Sequence, residues 1–189
     1  MLSGSVSKDI QPSPLVSPIS LGSRLAAKAL PRISLRDAAP EDRELLFTVY
    51  ADSRAEELAR VPWTAEQKAD FLRQQFEAQD AWWREHYTTA EFSVIVADGE
   101  PAGRLYVDEW KNEVRIVDVA VLSTFRGRGI GTRLVRDVIA RADRAGKPVS
   151  IHVEMFNTGA RRLYERLGFE LVKEEGVYLL MRRPVSASA

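Results

Sequence analysis

One segment in the middle of the chain restricts the possible folds more than any other: an apolar stretch leads through a glycine-dense turn into an amphipathic helix. Residues 118–122 end the apolar stretch, and the turn contains Gly127, Gly129 and Gly131. The residues that follow recur at helical spacing on one face, namely Ile130, Leu134, Val135, Val138, Ile139 and Ala142. This pattern predicts a buried strand, a tight turn and a helix with one apolar face.

The glycine-dense turn has the properties of an anion-binding site. Glycine lets the backbone approach a ligand closely, and the free amides at a helix start favour a phosphate or pyrophosphate. The whole chain is neutral, with 27 basic and 27 acidic residues, but basic residues dominate the segment 126–147. They are Arg126, Arg128, Arg133, Arg136, Arg141, Arg144 and Lys147, against Asp137 and Asp143. The residues alone also allow a tight connection followed by a solvated helix face.

Two familiar phosphate-binding loops do not match this turn. A dinucleotide-binding loop requires a third glycine three positions after the second, where this chain has Thr132. A nucleoside-triphosphate loop requires Gly-Lys followed by Ser or Thr, whereas Gly131 precedes Thr132 and Arg133. Neither class of nucleotide-binding protein is therefore predicted.

Around this segment the chain alternates between strand-like and helical patterns. Strands are predicted over residues 33–36, 92–97, 104–110, 113–122, 149–155, 169–172 and 177–181. A turn region is predicted over residues 98–103, which contain Asp98-Gly99 and Gly103. Helices are predicted near Pro40, after the capping-box pair Thr64 and Gln67, from Ile130, and after Asn157.

Composition sets the boundaries of the domain and excludes several classes of site. Residues 1–31 are rich in Ser and Pro and predict a flexible extension, with a targeting peptide as the alternative. A single domain is expected over residues 32–184, followed by a short tail at 185–189. The chain has no cysteine and two histidines, so no metal site is expected. No apolar run approaches the roughly 20 residues that span a bilayer, and we expect a cytoplasmic protein.

Two motifs, in the right order, resemble a known family. The run Arg126-Gly127-Arg128-Gly129-Ile130-Gly131 matches the Arg/Gln-x-x-Gly-x-Gly/Ala signature of the GNAT superfamily of acetyl-CoA-dependent N-acetyltransferases. A later motif of that family resembles Asn157, Ala160, Leu163, Tyr164, Gly168 and Phe169. The resemblance covers about residues 33–183. It implies a mixed α/β fold with a mostly antiparallel sheet of six or seven strands, about four flanking helices and a splayed parallel strand pair.

The resemblance also implies a function. It predicts that an acetyl group passes from acetyl-CoA to a primary amine by direct attack in a ternary complex, without a covalent enzyme intermediate. The alternative is a non-catalytic acyl-CoA-binding sensor of the same fold. The residues expected to bind the pantetheine arm are Val119, Ala120, Val121 and Asn157. Those expected around the pyrophosphate are Arg126, Gly127, Arg128, Gly129, Ile130, Gly131 and Thr132.

Three residues are candidates for proton transfer. Tyr164 corresponds to the tyrosine that protonates the departing thiolate in many relatives, although it also falls on the apolar stripe of its helix. His152 stands where ribosomal-protein alanine acetyltransferases carry a glutamate base, and Glu154 on the same strand is a second candidate. Other relatives place a glutamate where this chain has Arg115, so ordered water is a further route for the proton.

The acceptor site of this fold is usually built from the first two helices. Here they contribute aromatic and acidic side chains that suit an amine with some apolar surface. The candidates are Tyr50, Arg54, Glu56, Glu57, Trp63, Phe71, Phe76, Trp82, Trp83 and Tyr87. We expect a small-molecule or peptide amine as partner, no nucleic acid and no membrane, with a homodimer as a candidate assembly.

Overall fold

A seven-stranded sheet crosses the part of the chain that the computed structural model describes, residues 30–185. Its spatial order is β1-β2-β3-β4-β5-β7-β6, and the β4–β5 pair is parallel while the other neighbours are antiparallel. The strands are β1 Ile33–Asp37, β2 Glu91–Ala97, β3 Glu100–Glu109, β4 Val114–Val121, β5 Val149–Glu154, β6 Glu170–Glu175 and β7 Tyr178–Arg183. The predicted fold class is confirmed. The predicted extension lies almost entirely outside the described residues.

Four α-helices flank the sheet. They are α1 Arg43–Ala59, α2 Ala65–His86, α3 Ile130–Arg144 and α4 Thr158–Arg166. The predicted capping box begins α2, because the Thr64 side chain accepts from the Gln67 amide at 3.2 Å and the Gln67 side chain accepts from the Thr64 amide at 3.0 Å. All six predicted apolar residues of α3 are buried against the sheet. Within residues 30–185, no helix combines the length and hydropathy needed to cross a bilayer.

The turn between β2 and β3 is shorter than the sequence predicted. The prediction of a turn over residues 98–103 is wrong, since β3 already begins at Glu100. Asp98 and Gly99 alone form the turn, and both have positive φ, 53° and 90°. Two-residue turns of this kind match the twist of paired strands. Gly103 therefore lies within β3 and not in a loop.

Gly103 allows β3 and β4 to approach closely. It pairs with Val121, and a Cβ built on Gly103 would overlap the carbonyl oxygen of Ala120. The β3–β4 ladder runs along β4 to Val121, but the parallel β4–β5 pairing covers only the three positions from Val114 to Ile116. The far half of β4 thus has a paired side toward β3 and an open side toward β5.

A buried carboxylate joins β1 to the start of α1. Both oxygens of Asp42 accept from the Arg36 guanidinium at 2.6 Å, and the Ala39 amide donates to Asp42 at 2.8 Å. The Arg36 hydrogen bonds, with the Ala39 amide, lower the pKa of Asp42 from 3.8 to about 2. Asp42 is therefore ionised in the folded protein at all but strongly acidic pH.

We expect Asp42→Asn to lower Tm at pH 7 by roughly 2–4 °C. The folded pKa of Asp42 is depressed, so its stabilising effect is present above about pH 4 and is lost as the pH falls toward 2. Thermal melts of both proteins from pH 7 to pH 2.5 should show the difference in Tm shrinking. A constant difference across that range would contradict the assignment to the carboxylate charge.

Candidate active site

The open side of β4 faces a cavity of about 570 Å³. The strands contribute Val117, Asp118, Val119 and Ala120 from β4, and Ile151, His152, Val153 and Glu154 from β5. Arg104 of β3, helices α1, α2 and α4 and the hairpin of β6 and β7 contribute the rest of the wall. Of the predicted site residues, Val119, Ala120, His152, Glu154, Asn157 and Tyr164 all line this one cavity.

The glycine-dense turn leads from β4 into α3. Gly127 and Gly129 adopt left-handed conformations, with φ of 73° and 79°, and Gly129 is the residue that precedes the first helical turn. Side chains rarely adopt that conformation, so glycine is strongly favoured at both positions. The backbone amides of the first turn of α3 have no helical partner, which suits them to bind an anion.

The side chain of Arg126 connects this turn to α1. Its Nη2 donates to Asp52 at 2.6 Å, and its Nε donates to the Val121 carbonyl at 2.9 Å. The Ser123 amide and hydroxyl also donate to Asp52, at 2.9 and 2.5 Å. The guanidinium of Arg126 thus fixes the geometry of the turn. Sequence reasoning did not identify Asp52, which lies more than 70 positions away from these partners.

Tyr164 is buried at 4% exposure where α4 meets the cavity. Asn157 caps α4, because its Oδ1 accepts from the Ala160 amide at 3.0 Å. Burial raises the pKa of the Tyr164 hydroxyl well above its usual range, and the negative charge of Asp118 adds to that effect. The hydroxyl therefore stays protonated at neutral and mildly alkaline pH.

His152 and Glu154 lie two positions apart on β5 and both reach the cavity. Glu154 forms an ion pair with Arg54 of α1 at 2.7 Å. Both ring nitrogens of His152 have partners: Nδ1 lies 3.2 Å from Nη1 of Arg115, and Nε2 lies 3.0 Å from Oε2 of Glu175. Glu175, on β6, was not among the residues that the sequence indicated.

A buried ion pair fixes another charge in the cavity wall. Arg104 of β3 is only 3% exposed and donates from Nε to Oδ2 of Asp118 at 2.7 Å. Its guanidinium also lies against the rings of Trp83 and Tyr106, 5.1 and 5.5 Å from their centroids. The strand pairing of β3 with β4 brings this arginine to the cavity, and no sequence motif marks it.

The first two helices supply only part of the expected acceptor site. Tyr50, Arg54, Trp82, Trp83 and Tyr87 line the cavity. The other candidates, Glu56, Glu57, Trp63, Phe71 and Phe76, do not line it. Phe76 is 1% exposed in the core between α1 and α2, and Trp63 packs on Phe71 with ring centroids 5.2 Å apart. Helical spacing shows which residues share a face, but packing decides which of them reach the cavity.

Comparison with known proteins identifies the family of the region that contains the turn, the open strand and Tyr164. Residues 53–169, more than half of the chain, match the model of the acetyltransferase (GNAT) family. The chain belongs to the GNAT family. The matched region contains the far half of β4, the glycine-dense turn and α4.

Curated relatives and solved structures agree with that assignment. An uncharacterised N-acetyltransferase of Methanocaldococcus jannaschii is 40% identical over 87 residues, which is 42% of this GNAT chain and 38% of the relative. Histone acetyltransferase MCC1 of Arabidopsis thaliana is 34% identical over 107 residues, or 53% of this chain and 43% of that protein. The chain thus spans less than half the length of these curated relatives.

The GNAT fold is also evident from a solved structure. The PaiA N-acetyltransferase of Thermoplasma acidophilum, in complex with coenzyme A, superimposes with a TM-score of 0.63 at 17% identity. The match covers 81% of this chain and 99% of that one. At this level of identity the comparison establishes the shared fold.

Proposed function

We propose that this GNAT protein transfers an acetyl group from acetyl-CoA to a primary amine by direct attack in a ternary complex. One observation carries the proposal: the open side of β4 and Tyr164 line the same cavity. The strand can bind an extended amide-containing arm along its free backbone groups, and the hydroxyl can donate a proton inside the cavity. The coenzyme A bound in the Thermoplasma structure supports acetyl-CoA as the donor.

Each end of the donor has a binding element. The pantetheine arm runs along Val119, Ala120 and Val121, with Asn157 on the other side of the cavity. The pyrophosphate lies at the turn formed by Arg126, Gly127, Arg128, Gly129, Ile130, Gly131 and Thr132. Backbone amides do this binding at the start of α3, because the guanidinium of Arg126 is already held by Asp52.

The chemistry is a single acyl transfer. The neutral amine nitrogen attacks the thioester carbonyl carbon, and the C–S bond breaks as the tetrahedral intermediate collapses. Tyr164 protonates the departing thiolate, and the proton lost by the amine passes to Glu154 or to water. The chain has no cysteine to form a thioester intermediate, which supports direct attack.

The cavity wall favours an amine that carries apolar surface. Tyr50, Trp82, Trp83 and Tyr87 present aromatic surface. Three carboxylates also line the cavity: Asp118 and Glu154, which are paired with Arg104 and Arg54, and Glu175. Aromatic faces and carboxylates both attract an ammonium group. Small arylalkylamines and peptides with a free amino group are therefore the first acceptors to try. The name of the Arabidopsis relative supports including a lysine-containing peptide.

A two-stage experiment tests the proposed function. Calorimetric titration with acetyl-CoA, and then with free coenzyme A, should give saturable binding of both. A thiol-release assay with phenethylamine, spermidine and lysine-containing or free amino-terminal peptides should then show amine-dependent turnover. Binding without turnover on any amine would favour a non-catalytic acyl-CoA-binding sensor. Absence of binding would overturn both functions.

A substitution at Gly131 tests the proposed pyrophosphate site without disturbing the fold. Its φ is not left-handed, and a Cβ built there meets no atom within 4 Å. Gly131→Val should therefore fold normally, yet its side chain should obstruct the ligand and raise the Kd of acetyl-CoA roughly 10-fold or more. Calorimetry gives the Kd and a thermal melt checks the fold. An unchanged Kd would remove this turn from the proposed site.

A further inference from the structure

A chain of hydrogen bonds crosses the sheet at the edge of the cavity. We call Glu113, Arg115, His152 and Glu175 the His152 chain. Nη2 of Arg115 donates to Oε1 of Glu113 at 3.4 Å, and Nη1 lies 3.2 Å from Nδ1 of His152. Nε2 of His152 lies 3.0 Å from Oε2 of Glu175. Three strands, β4, β5 and β6, contribute to it.

The chemistry of arginine fixes the direction of this chain. A guanidinium only donates hydrogen bonds, so Nδ1 of His152 must accept and can carry no proton. The proton of the neutral imidazole then lies on Nε2, which donates to Glu175. In the opposite tautomer, Nδ1–H of His152 would face an N–H of Arg115, and neither would have an acceptor.

Trp110 and Glu113 also contact Arg115, although its buried Nε has no hydrogen-bond partner within residues 30–185. Its side chain is 9% exposed, and its guanidinium lies 5.3 Å from the centroid of the Trp110 ring. Glu113, 8% exposed, balances its charge and also accepts from the Ser150 hydroxyl at 2.8 Å and from Arg182. If the Arg115 side chain adopted another rotamer, the buried Glu113 carboxylate would lose one of its hydrogen-bond donors. The lone pair on Nδ1 of His152 is thus occupied by a fixed cation.

We infer that Arg115 locks His152 with its proton on Nε2, and that His152 is a positioning residue that orients Glu175 to bind the ammonium group of the acceptor. In this arrangement His152 is not the general base, because its one lone pair points at Arg115. The part that concerns the acceptor rests on the proposed function. The part that concerns the His152 tautomer does not.

Glu175 has the properties that ammonium binding requires. It lines the cavity with 39% of its side chain exposed. Lys173 donates to Oε1 at 2.9 Å and His152 to Oε2 at 3.0 Å, and each oxygen retains a second lone pair. The hydrogen bond from Lys173, and then that from His152, hold the pKa of Glu175 below its ordinary value. The carboxylate is therefore ionised at neutral pH, where an alkylamine acceptor is an ammonium ion.

Nitrogen-15 NMR of histidine-labelled protein tests the tautomer directly. The chain has only His86 and His152, so a His86→Gln variant assigns both sets of signals. At pH 7, His152 should show an unprotonated Nδ1 and a protonated Nε2. His86 should show the reverse, because its Nδ1 donates to the Trp82 carbonyl at 2.8 Å. A protonated Nδ1 on His152 would overturn the inference.

Two arginine variants distinguish a specific effect of Arg115 on the His152 tautomer from a general effect of losing an arginine beside Glu113. Arg115→Met should move the Nδ1 signal of His152 toward the protonated range, because the cation that faces it is gone. Arg182→Met is the matched control, since it removes the other guanidinium from Glu113 without touching His152. It should leave the His152 signals in place. Equal effects of the two variants, or no effect of Arg115→Met, would contradict the lock.

Kinetics with an amine acceptor test the role of Glu175. Glu175→Gln should raise the KM for the amine about 10-fold and change kcat less than about 3-fold. His152→Ala should raise KM similarly, and His152→Gln should recover most of the loss, because the glutamine amide can still donate to Glu175. A kcat loss of about 100-fold in both His152 variants would identify a base instead. If wild-type protein turns over no amine, the proposed function fails, and the NMR pattern still decides the tautomer.

Discussion

We expect Tyr164→Phe to lower kcat about 100-fold and to alter the Kd of acetyl-CoA less than about 3-fold. The hydroxyl is the group lost, and the ring keeps its packing against Phe169, whose centroid lies 5.5 Å away. If Tyr164 is the proton donor proposed above, the thiolate of coenzyme A must leave unprotonated in this variant, so the barrier to collapse of the intermediate should rise. Thiol release under saturating substrates gives kcat, and calorimetry gives the Kd.

Tyr106 provides a matched control for that experiment. It is also fully buried, its pKa is raised to about 12 by burial, and its hydroxyl has no partner within the part of the chain described. It does not line the cavity. Tyr106→Phe should leave kcat unchanged and leave Tm equal or higher, since an unpaired buried hydroxyl is lost. Full activity of Tyr164→Phe would exclude the proton-donor role.

We expect Gly103→Ala to lower the free energy of unfolding by about 3 kcal/mol, because the new Cβ would overlap the carbonyl oxygen of Ala120 and the two strands would have to separate. The displaced residues belong to the open half of β4, so acetyl-CoA affinity should fall as well. Urea unfolding measures the first effect and calorimetry the second.

The control is Gly131→Ala. Alanine there has space and an ordinary φ, and Gly131 lies in the first turn of α3, so the free energy of unfolding should stay equal or rise slightly. If Gly103→Ala were as stable as the wild-type protein, the close approach of β3 to β4 would have to be relieved by a small shift of the backbone.

The sequence predicted the start of α2 and the buried face of α3, because both depend on residues that are close together in the chain. The capping box of Thr64 and Gln67 marks the start of α2, and the apolar stripe from Ile130 to Ala142 marks the buried face of α3. Each pattern lies within a few turns of a single helix, so it can be recognised without knowing which other elements that helix contacts. The resemblance of the two motifs predicted the splayed strand pair, which composition and periodicity do not indicate.

Long-range pairings account for what the sequence missed. Glu175 meets His152 because β7 follows β6 and inserts between β5 and β6, and nothing in the local sequence indicates that order. In the sequence, Arg115 is notable only as a departure from the family pattern, and its contact with His152 depends on the register of the parallel pair. The sequence pattern predicts a turn that includes Gly103, whereas the residue lies in β3 opposite Val121. The contacts of these residues can be identified only when the order and register of the strands are known.

The short pairing between β4 and β5 divides the sheet into two panels, β1 to β4 and β5-β7-β6, joined by three backbone positions. A pantetheine arm bound in the gap, as proposed above, would act as an additional strand and tie the panels together. Ligand at 100 times its Kd would stabilise the folded state by about 2.7 kcal/mol, which reduces the unfolded fraction about 100-fold. Proteases that cleave the unfolded chain would then remove it more slowly. The cellular lifetime of this protein should therefore follow the supply of its own acyl donor.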